Sequence, residues 1–276
     1  MKESKFKLVA LDMDGTTYES LGNIVEENIE PINNTIKNGV KIVFVTGRPV
    51  HSKINRLELF NFDNDEETLF AGFNGALIFD ITNNLKIDEQ PISKDTAKAA
   101  FDLLKLEKFK DCNLWAYTTN PKISYISKDL FIAKDLQHEV PFFGSEPIVY
   151  NDNLEMYSCY KFLMFNGTIE FANELRNLSL EVAWTEGSFA GEVTKKGINK
   201  KYALEFLSKK YSIRQEEILA IGDGANDIPM FEFAGHSIAP ANAHADVKKK
   251  AIEVSDFKNT EGVVAKALKK YILGEN

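Results

Sequence analysis

The first eighty residues alternate between continuous apolar runs and stripes of apolar side chains three or four apart. Residues 6–11 form a mostly apolar run that predicts a buried strand. Val25, Ile29, Ile32 and Ile36 mark one face of a helix, and Asn38-Gly39 ends it. Residues 40–45 are a second strand that stops at Thr46. A continuous run of this kind after a helix suits a parallel sheet covered on both faces. Pro49 stands in the first turn of a predicted helix reaching Phe60, a place proline tolerates. Residues 68–71 are a third strand, ending at Asn74-Gly75.

The pattern changes after Ile81. Residues 77–80 and 85–88 predict a hairpin around Thr82-Asn83-Asn84. Ser93 caps a helix with the stripe Ala97, Ala100, Phe101 and Leu104. Strands are expected at 113–118, 123–126, 157–165, 180–184 and 189–193, and helices at 130–137 and 169–178. Runs of strands with few helices indicate an α+β module built on an antiparallel sheet. From Gly197 the earlier alternation returns. A helix covers 199–210 and a strand 217–221 ends at Gly222-Asp223. Short strands at 236–239 and 251–254 are each followed by a helix, the last over 260–272. The expected fold is therefore α/β: a doubly wound, Rossmann-like parallel-sheet core from residues 1–81 and 195–276. An α+β module, residues 82–194, is inserted after the third strand.

Composition narrows the partners. A net charge of −8 over 276 residues argues against a nucleic-acid or anionic-membrane partner, because phosphate backbones need clustered Lys and Arg. The two cysteines, Cys112 and Cys159, lack C-x-x-C spacing and read as buried free thiols of a reducing compartment. The polar start, residues 1–5, runs straight into a strand, so no signal peptide is expected. No apolar run approaches the roughly 20 residues of a membrane helix, and a cytoplasmic protein is expected.

The chemistry starts at Leu11-Asp12-Met13-Asp14-Gly15-Thr16-Thr17. Residues two apart on an extended chain share a side, so Asp12 and Asp14 can face one small space. Two anions that close need a shared proton or a cation, and a hard cation such as Mg²⁺ suits oxygen ligands. A calcium loop does not fit, since the Gly comes too early and Asn23 holds the place of the closing Glu. Asp12, Thr46, Asn74 and Asp223 each follow a predicted strand. Ligands of open α/β sheets bind beyond the carboxyl ends of strands, so four strand ends deliver polar groups to one edge.

Asp-x-Asp-Gly-Thr after the first strand resembles the opening motif of the haloacid dehalogenase superfamily of phosphotransferring enzymes. Val45-Thr46-Gly47-Arg48, Lys200 in Gly197-Ile198-Asn199-Lys200, and Gly222-Asp223-Gly224-Ala225-Asn226-Asp227 follow in that family's order. With Phe73-Asn74-Gly75-Ala76 between them, the chain resembles the Cof-type sugar phosphatases with a subclass IIB cap. The resemblance implies Mg²⁺-dependent hydrolysis of a small phosphorylated metabolite. Asp12 would be the nucleophile and Asp14 the general acid and base. Asp12, the main-chain carbonyl of Asp14 and Asp223 would hold Mg²⁺, with Asp227 as a ligand or at one remove.

Thr46 and Gly47 supply a hydroxyl and an N–H suited to a phosphoryl oxygen. Lys200 would hold the nucleophile and the phosphate, with Lys201, Lys196 and Lys195 as rivals because the family's Lys-Gly reads Lys200-Lys201 here. Arg48 either lies near the substrate or makes a surface ion pair. Asn74-Gly75 is either a substrate contact where core meets cap or a hairpin turn. Asn226 orients its loop or touches phosphate. Selectivity would come from cap loops, near Tyr125 or residues 186–188. A phosphomutase on the same scaffold and a non-catalytic phosphometabolite sensor are the competing readings. No P-loop pattern is present.

Overall fold

The computed structural model describes residues 4–20, 22–62 and 67–275; residues 1–3 of the polar start lie outside them. β1 (Leu8–Leu11) leads into a small hairpin, β2 (Tyr18–Ser20) and β3 (Asn23–Ile24). Then come α1 (Ile29–Lys37), β4 (Lys41–Val45), β5 (Leu69–Gly72), β6 (Leu77–Asp80) and β7 (Leu85–Glu89). A second group follows: α2 (Lys94–Leu103), β8 (Asn113–Thr118), β9 (Ser124–Ile126), α3 (Val140–Phe143), β10 (Ile148–Val149), β11 (Cys159–Phe165), α4 (Ile169–Asn177), β12 (Leu180–Ala183) and β13 (Ala190–Lys195). The chain closes with α5 (Lys200–Tyr211), β14 (Ile218–Ile221), α6 (Ile228–Phe233), β15 (His236–Ala239), α7 (Ala245–Lys248), β16 (Glu253–Val254) and α8 (Val263–Leu268).

The larger sheet has the order β16-β15-β14-β1-β4-β5-β6-β7. Its first six strands run parallel, and β6 and β7 are antiparallel. Alternation along the strands splits its core in two. Val9, Leu11, Ile42 and Phe44 face α1 and α8, while Leu8, Ala10, Val43 and Val45 face α5 and α6. The architecture is the expected Rossmann-like α/β core. The second sheet, β10-β9-β8-β11-β13-β12, is antiparallel except for the β9–β10 pair. One face packs on α2 and α4 through Phe101, Phe162, Phe171 and Leu175. Its other face turns Trp115, Tyr117 and Leu163 toward the larger sheet's loops.

Four expectations change. The strand β7, assigned to the insert, is hydrogen-bonded to β6 and forms the edge of the larger sheet. No α-helix runs from Pro49 to Phe60. Two short 3₁₀ turns replace it, separated by Arg56 in a left-handed conformation. Asn55 is buried there and donates to the carbonyls of Pro49 and Val50, and such local bonds compete with a helical course. Residues 134–143 form a 3₁₀ run and the single turn α3 instead of a helix over 130–137. The last helix begins at Val263 and ends in a π turn. Cys112 and Cys159 are buried free thiols, as expected. Among the described residues no helix is long and apolar enough to cross a membrane.

Candidate active site at the strand ends

Parallel register sets the site. Leu11 lies level with Ile221 and Phe44, so the residues just beyond β1, β14 and β4 emerge together. The Asp12 N–H donates to the Ile221 carbonyl at 2.9 Å, and the Thr46 N–H to that of Ala71 at 2.9 Å. Asn74 follows in a left-handed conformation, its N–H on the Thr46 carbonyl. Each strand end thus fixes its neighbour before any side chain acts.

A fully buried lysine ties the acidic groups together. Lys200, in the first turn of α5, donates to Asp12 Oδ1 and Asp227 Oδ1, each at 2.5 Å. Asn199 caps this helix by accepting from the N–H groups of Lys201 and Tyr202. The rivals are elsewhere: Lys195 and Lys196 are exposed, and Lys201 reaches Glu205 on the helix surface. Asp227 Oδ2 accepts from the N–H groups of Asp223 and Gly224, so both its oxygens are engaged. Asp223 accepts from the Thr16 hydroxyl at 2.8 Å. Burial, then repulsion from Asp227, pushes the Asp12 carboxyl up to about 7 against the pull of Lys200. Burial, then Asp12, pushes Asp223 up to about 7. Burial also raises Asp227, against Lys200.

Asp12, Asp223 and Asp227 each offer an oxygen within 4.8 Å of the other two. An all-carboxylate donor set fits a hard cation such as Mg²⁺. Because Asp227 is already occupied by Lys200 and two N–H groups, Asp12 and Asp223 have the free capacity. Gly15 passes so close that a Cβ there would overlap the Asp223 carboxylate, and its φ is +73°. Asp14 does not bring its carboxylate to this cluster. Both its oxygens accept from Arg48, at 2.7 and 2.5 Å. Arg48 is therefore a buried partner of Asp14, not a surface ion pair. It also donates to the Ile54 carbonyl and lies over the Tyr18 ring.

The site opens into a cavity of about 220 Å³ lined by Asp12, Asp14, Thr46, Gly47, Arg48, Asp223 and Asn226, with Phe142, Lys161 and Glu192 from the second sheet's side. Lys161 donates to the Gly47 carbonyl at 2.6 Å and to Glu192 at 2.9 Å. Glu192 accepts from Asn74 and, at 2.9 Å, from Asn226. Burial would raise Glu192, but Lys161 and Asn74 outweigh it and hold its carboxyl down at about 2. Asn74-Gly75 is the turn that joins the antiparallel pair β5 and β6, and the Asn74 side chain donates to Glu192 of the second sheet. Gly75 is buried against the start of α5, away from the cavity lining. Lys161 and Glu192 are among the lining residues that the sequence reading did not single out, as are Glu139 and Phe142. A lysine inside the otherwise uncharged run Cys159–Phe165 was the available signal. Tyr125 does not reach the site; it packs on Tyr150 and donates to the Glu155 carbonyl. Residues 186–188 are exposed outside the lining.

The family model of haloacid dehalogenase-like hydrolases matches residues 9–268. The 5-amino-6-(5-phospho-D-ribitylamino)uracil phosphatase YcsE of Bacillus subtilis is 30% identical over 268 residues, 97% of this chain and 96% of its own. The phosphatase YwpJ of the same organism is 26% identical, covering 93% and 97%. A Streptococcus mutans structure superposes with a TM-score of 0.80 at 24% identity, covering 97% and 99%. The HAD subclass IIB sugar phosphatase BT4131 does so at 0.76 and 23%, covering 96% and 98%. The register-aligned acids and the match along nearly the whole chain lead to one assignment: this protein belongs to the haloacid dehalogenase-like hydrolases, whose full-length relatives here are phosphoric monoester hydrolases.

Proposed function

We propose that the protein hydrolyses small phosphate monoesters, sugar phosphates foremost, with Mg²⁺ and through an aspartyl phosphate on Asp12. The observation that carries this reading is the Asp12–Lys200–Asp227 triad beside Asp223, at the floor of a cavity roofed by another sheet. Asp12 attacks phosphorus, the ester P–O bond breaks, and the leaving alkoxide takes a proton from Asp14. Water then attacks the aspartyl phosphate, Asp14 accepts its proton, and Asp12 and phosphate are released. Asp12 and Asp223, with the Asp14 carbonyl, would hold Mg²⁺, which supplies positive charge against the phosphoryl oxygens. Lys200 keeps Asp12 oriented and offsets its charge. Thr46 and the Gly47 N–H receive a phosphoryl oxygen. Arg48 orients Asp14 through its paired bonds, and each carboxyl oxygen keeps a second lone pair for the leaving oxygen.

In the same reading residues 82–194 act as a cap on the core of residues 1–81 and 195–276, with β7 lending its edge to the core. Lys161 and Glu192 form its contact with Gly47, Asn74 and Asn226, and shut bulk water out. Buried free thiols support a reducing, cytoplasmic setting. The test is Asp12→Asn with p-nitrophenyl phosphate and Mg²⁺. Turnover should vanish, and near-normal turnover would remove Asp12 as nucleophile.

A further inference from the structure

The cavity wall on the second sheet's side carries an acid that the hydrolysis above does not use. Glu139 ends the 3₁₀ run Lys134–Glu139 and lines the cavity beside Phe142 and Lys161. The Tyr117 hydroxyl, from β8, donates to its Oε2 at 2.6 Å and fixes the carboxylate in place. Among the described residues no donor reaches Oε1, and a carboxylate has lone pairs for several. That oxygen is left to whatever fills the cavity. The cations of the lining are already committed. Arg48 is bonded to both oxygens of Asp14 and to the Ile54 carbonyl, and its guanidinium lies over the rings of Tyr18 and Phe142. Lys161 is bonded to the Gly47 carbonyl and to Glu192. Five carboxylates therefore line the cavity against two cations, and both cations are paired with carboxylates other than Glu139.

We propose that Glu139 is a specificity-determining residue, which accepts a hydrogen bond from the alcohol part of the ester and bars esters that carry a second anionic group. The proposal rests on the phosphatase reading, which puts the phosphate at Asp12, Thr46 and Gly47 and leaves the Glu139 end to the alcohol. A hydroxyl at that end donates to Oε1 and so replaces the water it gives up. A carboxylate or a second phosphate there finds no free cation and meets a fixed negative charge. A like charge placed against the wrong ligand is a direct way for a site to reject it. Drawing Arg48 or Lys161 over to receive that anion would leave Asp14 or Glu192 without its partner. Charge, more than size, then decides between a polyol ester and the sugar acid of the same length.

The experiment compares esters that differ at one carbon. Glycerol 3-phosphate is set against 3-phosphoglycerate, and glucitol 6-phosphate against 6-phosphogluconate, with Mg²⁺ and the full-length protein; the two lengths cover the reach to Glu139. In one pair or both, kcat/KM for the alcohol should exceed that for the acid at least tenfold. Glu139→Gln turns an acceptor into a group that also donates, so KM should rise for the alcohol and fall for the acid, closing the gap to about threefold. Glu139→Asp keeps the charge and should keep the rejection of the acid. Opposite shifts in one variant cannot come from a damaged fold. Equal use of alcohol and acid in both pairs, a preference that Glu139→Gln leaves intact, or a parallel fall for all four esters overturns the proposal. Failure to release phosphate from any of the four counts against the phosphatase reading instead. Calorimetric titration of the same esters into Asp12→Asn and Asp12→Asn/Glu139→Gln then decides Glu139 without turnover: alcohol should bind at least tenfold more tightly than acid only where Glu139 is present, and parity in both overturns its role.

Discussion

Replacing Lys200 by methionine tests the electrostatic logic of the site. The ammonium sits 2.5 Å from oxygens of both Asp12 and Asp227 and is fully buried. Without it, Asp12 loses the pull of a unit positive charge; at about 4 Å between charge centres and an effective dielectric of about 20 that pull is about 4 kcal/mol. That corresponds to about three pH units, since one unit equals about 1.4 kcal/mol. Asp12, which burial and the repulsion of Asp227 already raise to about 7, would move further up. A carboxyl that holds its proton at neutral pH is no nucleophile, so turnover at pH 7 should fall at least about 100-fold and recover as pH rises. The assay is the pH–rate profile with p-nitrophenyl phosphate and Mg²⁺, with denaturant unfolding alongside. Uncompensated buried charge should also cost about 3 kcal/mol of stability. A variant within threefold of wild type, with the acidic limb unmoved, refutes the reasoning.

The other outcomes concern the cap contact, the metal and the acid. Glu192 is held at about 2 when folded, below its ordinary 4.5, so its contribution is full above about pH 5 and is lost as pH falls toward 2. Glu192→Gln should cost about 2–3 kcal/mol near neutrality and nothing near pH 2; a cost independent of pH, by urea unfolding, contradicts this. Asp12 and Asp223 are raised to about 7, so the metal-free fold binds protons the unfolded chain has lost and weakens as pH rises from about 4 to 7. Millimolar Mg²⁺ should therefore raise Tm more at pH 8 than at pH 5, and an equal rise argues against a site at these acids. Gly15→Ala drives a Cβ into the Asp223 carboxylate at a φ of +73°, and should weaken Mg²⁺ at least tenfold by calorimetry. Arg48→Lys loses the paired bonds to Asp14 and the bond to the Ile54 carbonyl; kcat should fall about tenfold with KM little changed, whereas an unchanged kcat dismisses Arg48 as the residue positioning Asp14.

The sequence by itself determined the alternating core and the polar groups at the strand ends. A buried parallel strand must be continuously apolar, and the residue that ends the run must be the one facing the ligand edge. Asp12, Thr46, Asn74 and Asp223 were legible for that reason, and Lys200 through its motif. Three things waited for the tertiary structure. The strand β7 has a half-exposed, charged pattern, so only hydrogen bonding to β6 decides which sheet owns it. The 49–60 stretch has helix-compatible spacing, and the buried bonds of Asn55 and Arg48 to its own carbonyls overrule it. Lys161 and Glu192 lie far from the motifs along the chain and meet Gly47, Asn74 and Asn226 only when one sheet folds over the other. Local pattern encodes burial one residue at a time; contacts between distant segments carry no period, so folding alone reveals them.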